Sequence, residues 1–317
     1  MARALCRPAI AGFLVGIALE LVSPSSVHAQ MENGFDLSGA VIPAEEILSG
    51  GPPRDGIPAL TDPRFESVRQ ASRWMRDDDR LLALEVAGEA KAYPLRILVW
   101  HEVANDQIGG RPVLVTYCPL CGTGMAFDSV VRGERRIFGV SGLLYNSDVL
   151  MYDRGTESLW SQIARRAVTG PMRGSTLVLL PLVHTTWGRW RREHPDGLVL
   201  SQQTGHERDY DRDPYLLYAS DPSAMFPVPH RDPRLPKKEL VLGIEMEGAG
   251  AAFPLSALEE EPRPVRALVG HEDVFVYWFR DSWTAFATDP KGRRIPATIA
   301  YWFAWSAFHP DTQVWHP

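Results

Sequence analysis

The chain has 317 residues, 45% hydrophobic and 23% charged, enough apolar material for a large core and against a disordered or disulfide-packed miniature. A formal net charge of −6, with no basic cluster longer than residues 189–192, argues against nucleic acid as a partner. Twenty-six glycines and twenty-six prolines interrupt the chain too often for long helices and favour short strands joined by turns.

In chain order, Arg3 and Arg7 precede an apolar run over residues 9–22, and Val27-His28-Ala29 ends in a small residue before Gln30. That is the pattern of a secretory signal, too short to span a membrane comfortably. Residues 1–29 are expected to be a signal peptide cleaved after Ala29, leaving a periplasmic or secreted chain with no stable membrane span. Residues 30–80 contain Gly50-Gly51-Pro52-Pro53 and Gly56-Ile57-Pro58 and read as an extended N-terminal wrap. Strand-like runs follow at 81–86, 112–117, 124–127, 137–140 and 149–152, separated by turns at Gly88, Gly109-Gly110, Gly133 and Gly142. The best helix candidate covers 185–194, with Thr185 or Thr186 as its cap and Pro195 as its stop.

Residues 88–98 (Gly-Glu-Ala-Lys-Ala-Tyr-Pro-Leu-Arg-Ile-Leu) echo residues 248–258 (Gly-Ala-Gly-Ala-Ala-Phe-Pro-Leu-Ser-Ala-Leu). Each copy is flanked by strand-like runs, which reads as a duplicated strand–turn–strand–short helix–strand unit with the helix opening at Pro94 and Pro254. The expected fold is α+β, mainly β, with two related strand-rich halves and few short helices. The first half, 81–235, carries a Cys–Cys site, and the second, 236–317, is a degenerate repeat without it.

The chemistry centres on Tyr117-Cys118-Pro119-Leu120-Cys121-Gly122, because Cys6 falls in the removable segment. Two thiols at this spacing can close a disulfide, work as a redox pair, or give two thiolates to one metal. Pro119 and Gly122 suit the tight turn of a metal knuckle, but a zinc ribbon needs a second knuckle and the sequence has none. Histidine is the natural source of further ligands. His101 is the first candidate: if 100–106 and 112–118 run antiparallel about Gly109-Gly110, it comes within reach of Cys118. The spacing of His184, His206, His230, His271 and His309 selects none of them. Asp148 and Asp153 could orient a ligating histidine, with Ser141 and Tyr117 as further supporting residues, although such aspartates also cap turns.

A thiol pair of the thioredoxin type needs a helix after its cysteines, whereas Gly122-Thr123-Gly124 lead into a new strand, so redox exchange ranks below metal binding. Two hydrolase motifs fail by one residue each: Asn105 stands where H-E-x-x-H needs its second histidine, and Leu143 where G-x-S-x-G needs its last glycine.

The chain resembles the bacterial and archaeal family known as domain of unknown function 3179. The resemblance rests on Tyr93-Pro94, Trp100-His101-Glu102, Tyr117-Cys118-Pro119-Leu120-Cys121-Gly122-Thr123, Phe138-Gly139-Val140-Ser141-Gly142 and Leu159-Trp160-Ser161-Gln162. Thr185-Thr186-Trp187, Arg208-Asp209-Tyr210 and Trp302-Phe303-Ala304-Trp305 extend it over most of the chain. It implies an exported protein with a functional Cys–Cys–His neighbourhood, and brings no activity with it.

The reading that follows is an exported metal-binding protein, an enzyme before a carrier, with Cys118, Cys121 and His101 on one Cu(I) or Zn(II). Its reaction, whether oxidoreductase, lyase or hydrolase, is left open and no catalytic residue is assigned. The alternatives are a binding module stiffened by a Cys118–Cys121 disulfide and a thiol–disulfide oxidoreductase.

Overall fold

Strands make up 41% of the chain and helices 13%, so the fold is α+β and mainly β. The computed structural model describes Met1 and residues 30–317, so the expected signal segment and Cys6 lie outside the described residues. Among the described residues no helix is long and apolar enough to cross a membrane.

The first unit opens with the hairpin Arg80–Val86/Glu89–Pro94, whose turn residues Ala87 and Gly88 both have positive φ (51° and 82°). That backbone matches the twist of the flanking strands. Pro94 leads into the single-turn helix Leu95–Leu98, where its fixed φ suits a helix start. The strand Val103–Ile108 then pairs with Arg111–Cys118 about Gly109-Gly110, and Arg111–Cys118 pairs with Thr123–Asp128 about the cysteine knuckle. These three strands, edged by Leu60–Thr61 and Val178–Leu180, form a five-stranded sheet. Phe138–Tyr145, Asp148–Asp153, Leu159–Ser161, Arg166–Ala167 and Ile47–Ser49 form a second. The segment 30–80 thus lends edge strands to several sheets: Ile47–Ser49 to Phe138–Tyr145, Leu60–Thr61 to Val103–Ile108, and Phe65–Ser67 to Leu198–Leu200.

Val183–Thr186 pairs antiparallel with Arg80–Val86, passes into the helix Trp187–Glu193, and returns as Leu198–Leu200 parallel to Glu89–Pro94. The helix expected over 185–194 is therefore present, shorter by Thr185, which stays in the strand, and by its capping residues Thr186 and His194. The same order of pairings begins again at Leu240. Leu240–Met246 pairs with Ala249–Pro254, the helix Leu255–Leu258 follows, and Val265–Val269, Glu272–Phe279 and Thr284–Thr288 make a meander. Thr298–Tyr301 pairs antiparallel with Leu240–Met246, leads into the helix Trp302–Phe308, and returns as Gln313–Val314 parallel to Ala249–Pro254.

The two runs of pairing exchange partners. The meander over 265–288 joins the sheet of Arg80–Val86 through His184↔Ala285, giving nine strands in all. In the other direction, the N–H of Tyr301 donates to the carbonyl of Cys121 (2.9 Å), which brings the start of the last helix against the knuckle. Asn105, 1% exposed, bolts the two five-stranded sheets together: its Nδ2 donates to the carbonyls of Leu60 and Phe138, and its Oδ1 accepts from the N–H of Phe138. Cys118 and Cys121 sit in the hydrophobic cluster formed there, with Phe127, Phe138, Met151 and Trp160.

Candidate metal centre

The knuckle is a four-residue turn between Cys118 and Thr123, which face each other across the hairpin. Gly122 closes it with φ 62°, a conformation that glycine adopts without steric cost. A Cβ at Gly122 would also lie 3.2 Å from the Tyr301 ring, so the turn requires the missing side chain twice over. From below, Gln162 braces the hairpin by donating its Nε2 to Thr116 Oγ1 (2.7 Å) and to the carbonyl of Thr123 (3.3 Å).

A second turn meets the knuckle. Asn146 and Ser147, both at positive φ (52° and 63°), link Tyr145 to Asp148 as a two-residue hairpin loop. The carbonyl of Ser147 accepts from both thiols, at 3.3 Å from Cys121 and 3.9 Å from Cys118. The next residue, Asp148, is fully buried; its Oδ2 accepts from the N–H of Ile163 (3.0 Å), while its Oδ1 has no partner among the described residues. One ligand atom from each of Cys118, Cys121 and Asp148 lies within 4.8 Å of the others. Both cysteines are free thiols. This group could hold a metal ion.

Burial dominates the electrostatics. It pushes the Cys121 thiol well above its ordinary range, with Cys118 adding to the effect, and carries the Asp148 carboxyl up to about 7. Removal of charge from water is the shared cause, so without a cation burial favours the protonated forms of Cys121 and Asp148. A bound cation would supply the compensating charge in place of those protons.

His101, expected as a third ligand, is not part of this group. Its Nδ1 lies 2.7 Å from the carbonyl of Pro58, and its Nε2 lies 2.7 Å from Tyr210 Oη. A carbonyl can only accept, so Nδ1 carries the proton and Nε2 accepts from Tyr210. Burial lowers the ring's pKa to about 4. The antiparallel ladder on which the expectation rested does form, with Val103 opposite Thr116. It stops short of His101, because the N–H groups of His101 and Glu102 both bond back to Leu98 and Glu102 turns the chain at φ 57°. His101 therefore belongs to the end of the helix rather than to the strand, and its ring faces the segment after Leu200.

The supporting residues separate. Asp148 joins the cysteines directly. Asp153 accepts from Thr156 and from Trp160 Nε1 and closes the far end of its hairpin. Ser141 donates to the carbonyl of Leu150 and accepts from the N–H of Leu143, holding the bulge in Phe138–Tyr145. Tyr117 is 7% exposed beside the knuckle, and burial pushes its phenol up to about 12.

Other neighbours carry no sequence signal of their role. Glu102 is 7% exposed and its carboxyl is pushed up to about 8, by burial and then by the charge of Asp148. The segment 202–238 crosses over the site. Tyr218 Oη donates to the carbonyl of Leu120 (2.9 Å), Lys238 Nζ donates to the carbonyl of Tyr218, and Ser147 Oγ donates to the carbonyl of Phe226 (3.1 Å). Beneath it, a cavity of about 420 Å³ reaches the outer face of the knuckle at Tyr117, Pro119 and Gly122.

No curated protein and no solved structure matches the chain significantly. The family described as protein of unknown function (DUF3179) matches residues 54–312, a span that includes the knuckle, Asp148 and all but the last strand of the two runs of pairing, and the chain belongs to that family.

Proposed function

We propose that the chain is an exported metalloprotein in which Cys118, Cys121 and Asp148 bind one metal ion, Zn(II) before Cu(I). The observation that carries the reading is the convergence of two buried free thiols with a buried carboxylate oxygen that has no hydrogen-bond partner among the described residues. Such an oxygen is costly to bury unless something positive meets it. A set of two sulfurs and one oxygen suits zinc, whereas Cu(I) prefers soft donors throughout. Three protein donors leave a coordination position open, which favours an enzyme over a structural site. Export rests on the pattern of residues 1–29 and makes a metal the natural guardian of thiols that an oxidising compartment would otherwise pair.

The test is purification without chelators, with metal content and free thiols measured on the same sample. The expected result is one zinc per chain, lost on Cys118→Ser, Cys121→Ser and Asp148→Asn and kept on His101→Gln. Metal loss on His101→Gln with retention on Asp148→Asn would overturn the ligand set.

A second reading has its own support in the adjacency of the two thiols over one carbonyl. In it they form a disulfide that stiffens the turn. A chain with no metal and no free thiol would favour it and sink the first.

A further inference from the structure

We propose that the cavity on the outer face of the knuckle is a binding site for a small carboxylate, held by Arg80 with Tyr117 and Tyr301. This site is separate from the metal reading, because Pro119, Gly122 and Tyr117 line the cavity while the cysteine side chains do not. Its volume of about 420 Å³ is in the usual range for a small-molecule pocket.

The two arginines in the cavity are in different states. Arg96 is already matched, with Asp79 at 3.6 Å, Asp211 at 3.4 Å and the carbonyl of Trp74 at 3.2 Å. Arg80 makes no ion pair and no side-chain hydrogen bond among the described residues. Its guanidinium lies over the Trp283 ring, 3.8 Å from the centroid, which fixes its plane and leaves its N–H edge free. Arg80, Tyr117 and Tyr301 all line this cavity, and the charges of Arg80 and Asp213 both act on the two phenols, in opposite senses. The hydroxyls of Tyr117 and Tyr301 make no hydrogen bond among the described residues, and Tyr117 is more than nine-tenths buried. An unpaired cation and two idle donors among the residues that line one cavity can serve as a receptor for an oxyanion.

The rest of the lining selects the charge. Asp79 and Asp211 are taken up by Arg96, and Asp213 accepts from the N–H of Tyr215. Together with Asp78 they give the cavity four carboxylates against two arginines, which disfavours a dianion such as phosphate more strongly than a monoanion. One unpaired arginine balances one negative charge, hence a monocarboxylate. The acidic side also tolerates an amino group on the same ligand. The helix Leu216–Ser220 roofs the cavity through Leu216 and Ala219.

Calorimetric titration of the full chain with propionate, L-alanine, inorganic phosphate and tetramethylammonium tests the proposal. The same titrations on the double Cys118→Ser, Cys121→Ser variant make the answer independent of any metal. The expected result is binding of propionate or L-alanine in both proteins. That binding should be lost on Arg80→Leu, weakened about tenfold on Arg80→Lys as planar pairing is lost, and weakened about fivefold on Tyr117→Phe. Four outcomes would overturn it: no carboxylate binding, binding that survives Arg80→Leu, tighter binding of phosphate, or binding of tetramethylammonium alone. The last would make the cavity an aromatic and acidic cage for cations.

Discussion

Gly122 closes the knuckle at positive φ, and the second meander has Trp283 at the corresponding place, at φ 48° and directly before Thr284 as Gly122 is before Thr123. A bulky residue can thus hold this backbone where there is room for it. At the knuckle there is none, since Tyr301 packs on the glycine. Gly122→Ala is therefore expected to lower stability by about 1–2 kcal/mol from left-handed strain alone, with more from the displaced ring. Urea unfolding measures it, and an unchanged midpoint would show that the turn can relax. The glycine was legible in the sequence; its contact with Tyr301, nearly 180 positions away, was not.

At the scale of elements, short strands were readable because apolar runs end at glycines that the turns require. Residues 112–117 and 124–127 appear as Arg111–Cys118 and Thr123–Asp128. The run at 137–140 continues to Tyr145 through a bulge at Ser141-Gly142 that the sequence pattern ended on. Extrapolating a ladder two residues beyond its end produced the His101 expectation, and a left-handed residue at Glu102 undid it. The sequence also carries a second recurrence: Trp-x-x-Trp-x-x-x-His-Pro-Asp occurs at 187–196 and again at 302–311. Both stretches fold as a helix capped at the histidine, with nearly identical cap angles at His194 and His309. What joins the sheets is more local. Asn105 satisfies three backbone groups of neighbouring strands from a buried position. Asn105→Ala is expected to cost roughly 3 kcal/mol, because each orphaned group loses its partner away from water. A urea midpoint close to wild type would mean that water replaces the amide.

For the whole molecule, burial sets the response to acid. His101, His184 and His309 are held at about 4, 3 and 4, in each case chiefly by burial. Unfolded histidine titrates near 6.5, so below that pH the unfolded chain takes up protons that the folded chain refuses. Their contribution is complete above pH 6.5 and is lost as pH falls toward 3 or 4. Glu102 and Asp148 act in the opposite sense, stabilising the metal-free chain at low pH and losing that contribution as pH rises through about 7 to 8. A single variant separates the two. His184, 3% exposed with no partner for its Nδ1 among the described residues, is the cleanest site. The stability of His184→Gln relative to wild type should rise by about 1.4 kcal/mol per pH unit as pH falls below 6.5. Thermal melts between pH 7 and 4 measure it, and a difference independent of pH would show that His184 titrates normally.

The sequence by itself determined the strand-rich class, the turns and the pair of cysteines, because each depends on residues a few positions apart. It could not choose the cysteines' third partner. Asp148 lies 27 positions beyond Cys121 and comes to the thiols through a different hairpin, while His101, nearer along the chain, is drawn away by the helix that ends on it. The free edge of Arg80 and the cavity it serves have the same origin: they exist only where strands from both halves, the knuckle and the segment 202–238 are folded against one another. Local chemistry is written in local sequence; which groups are left unpaired in a buried space is decided by packing.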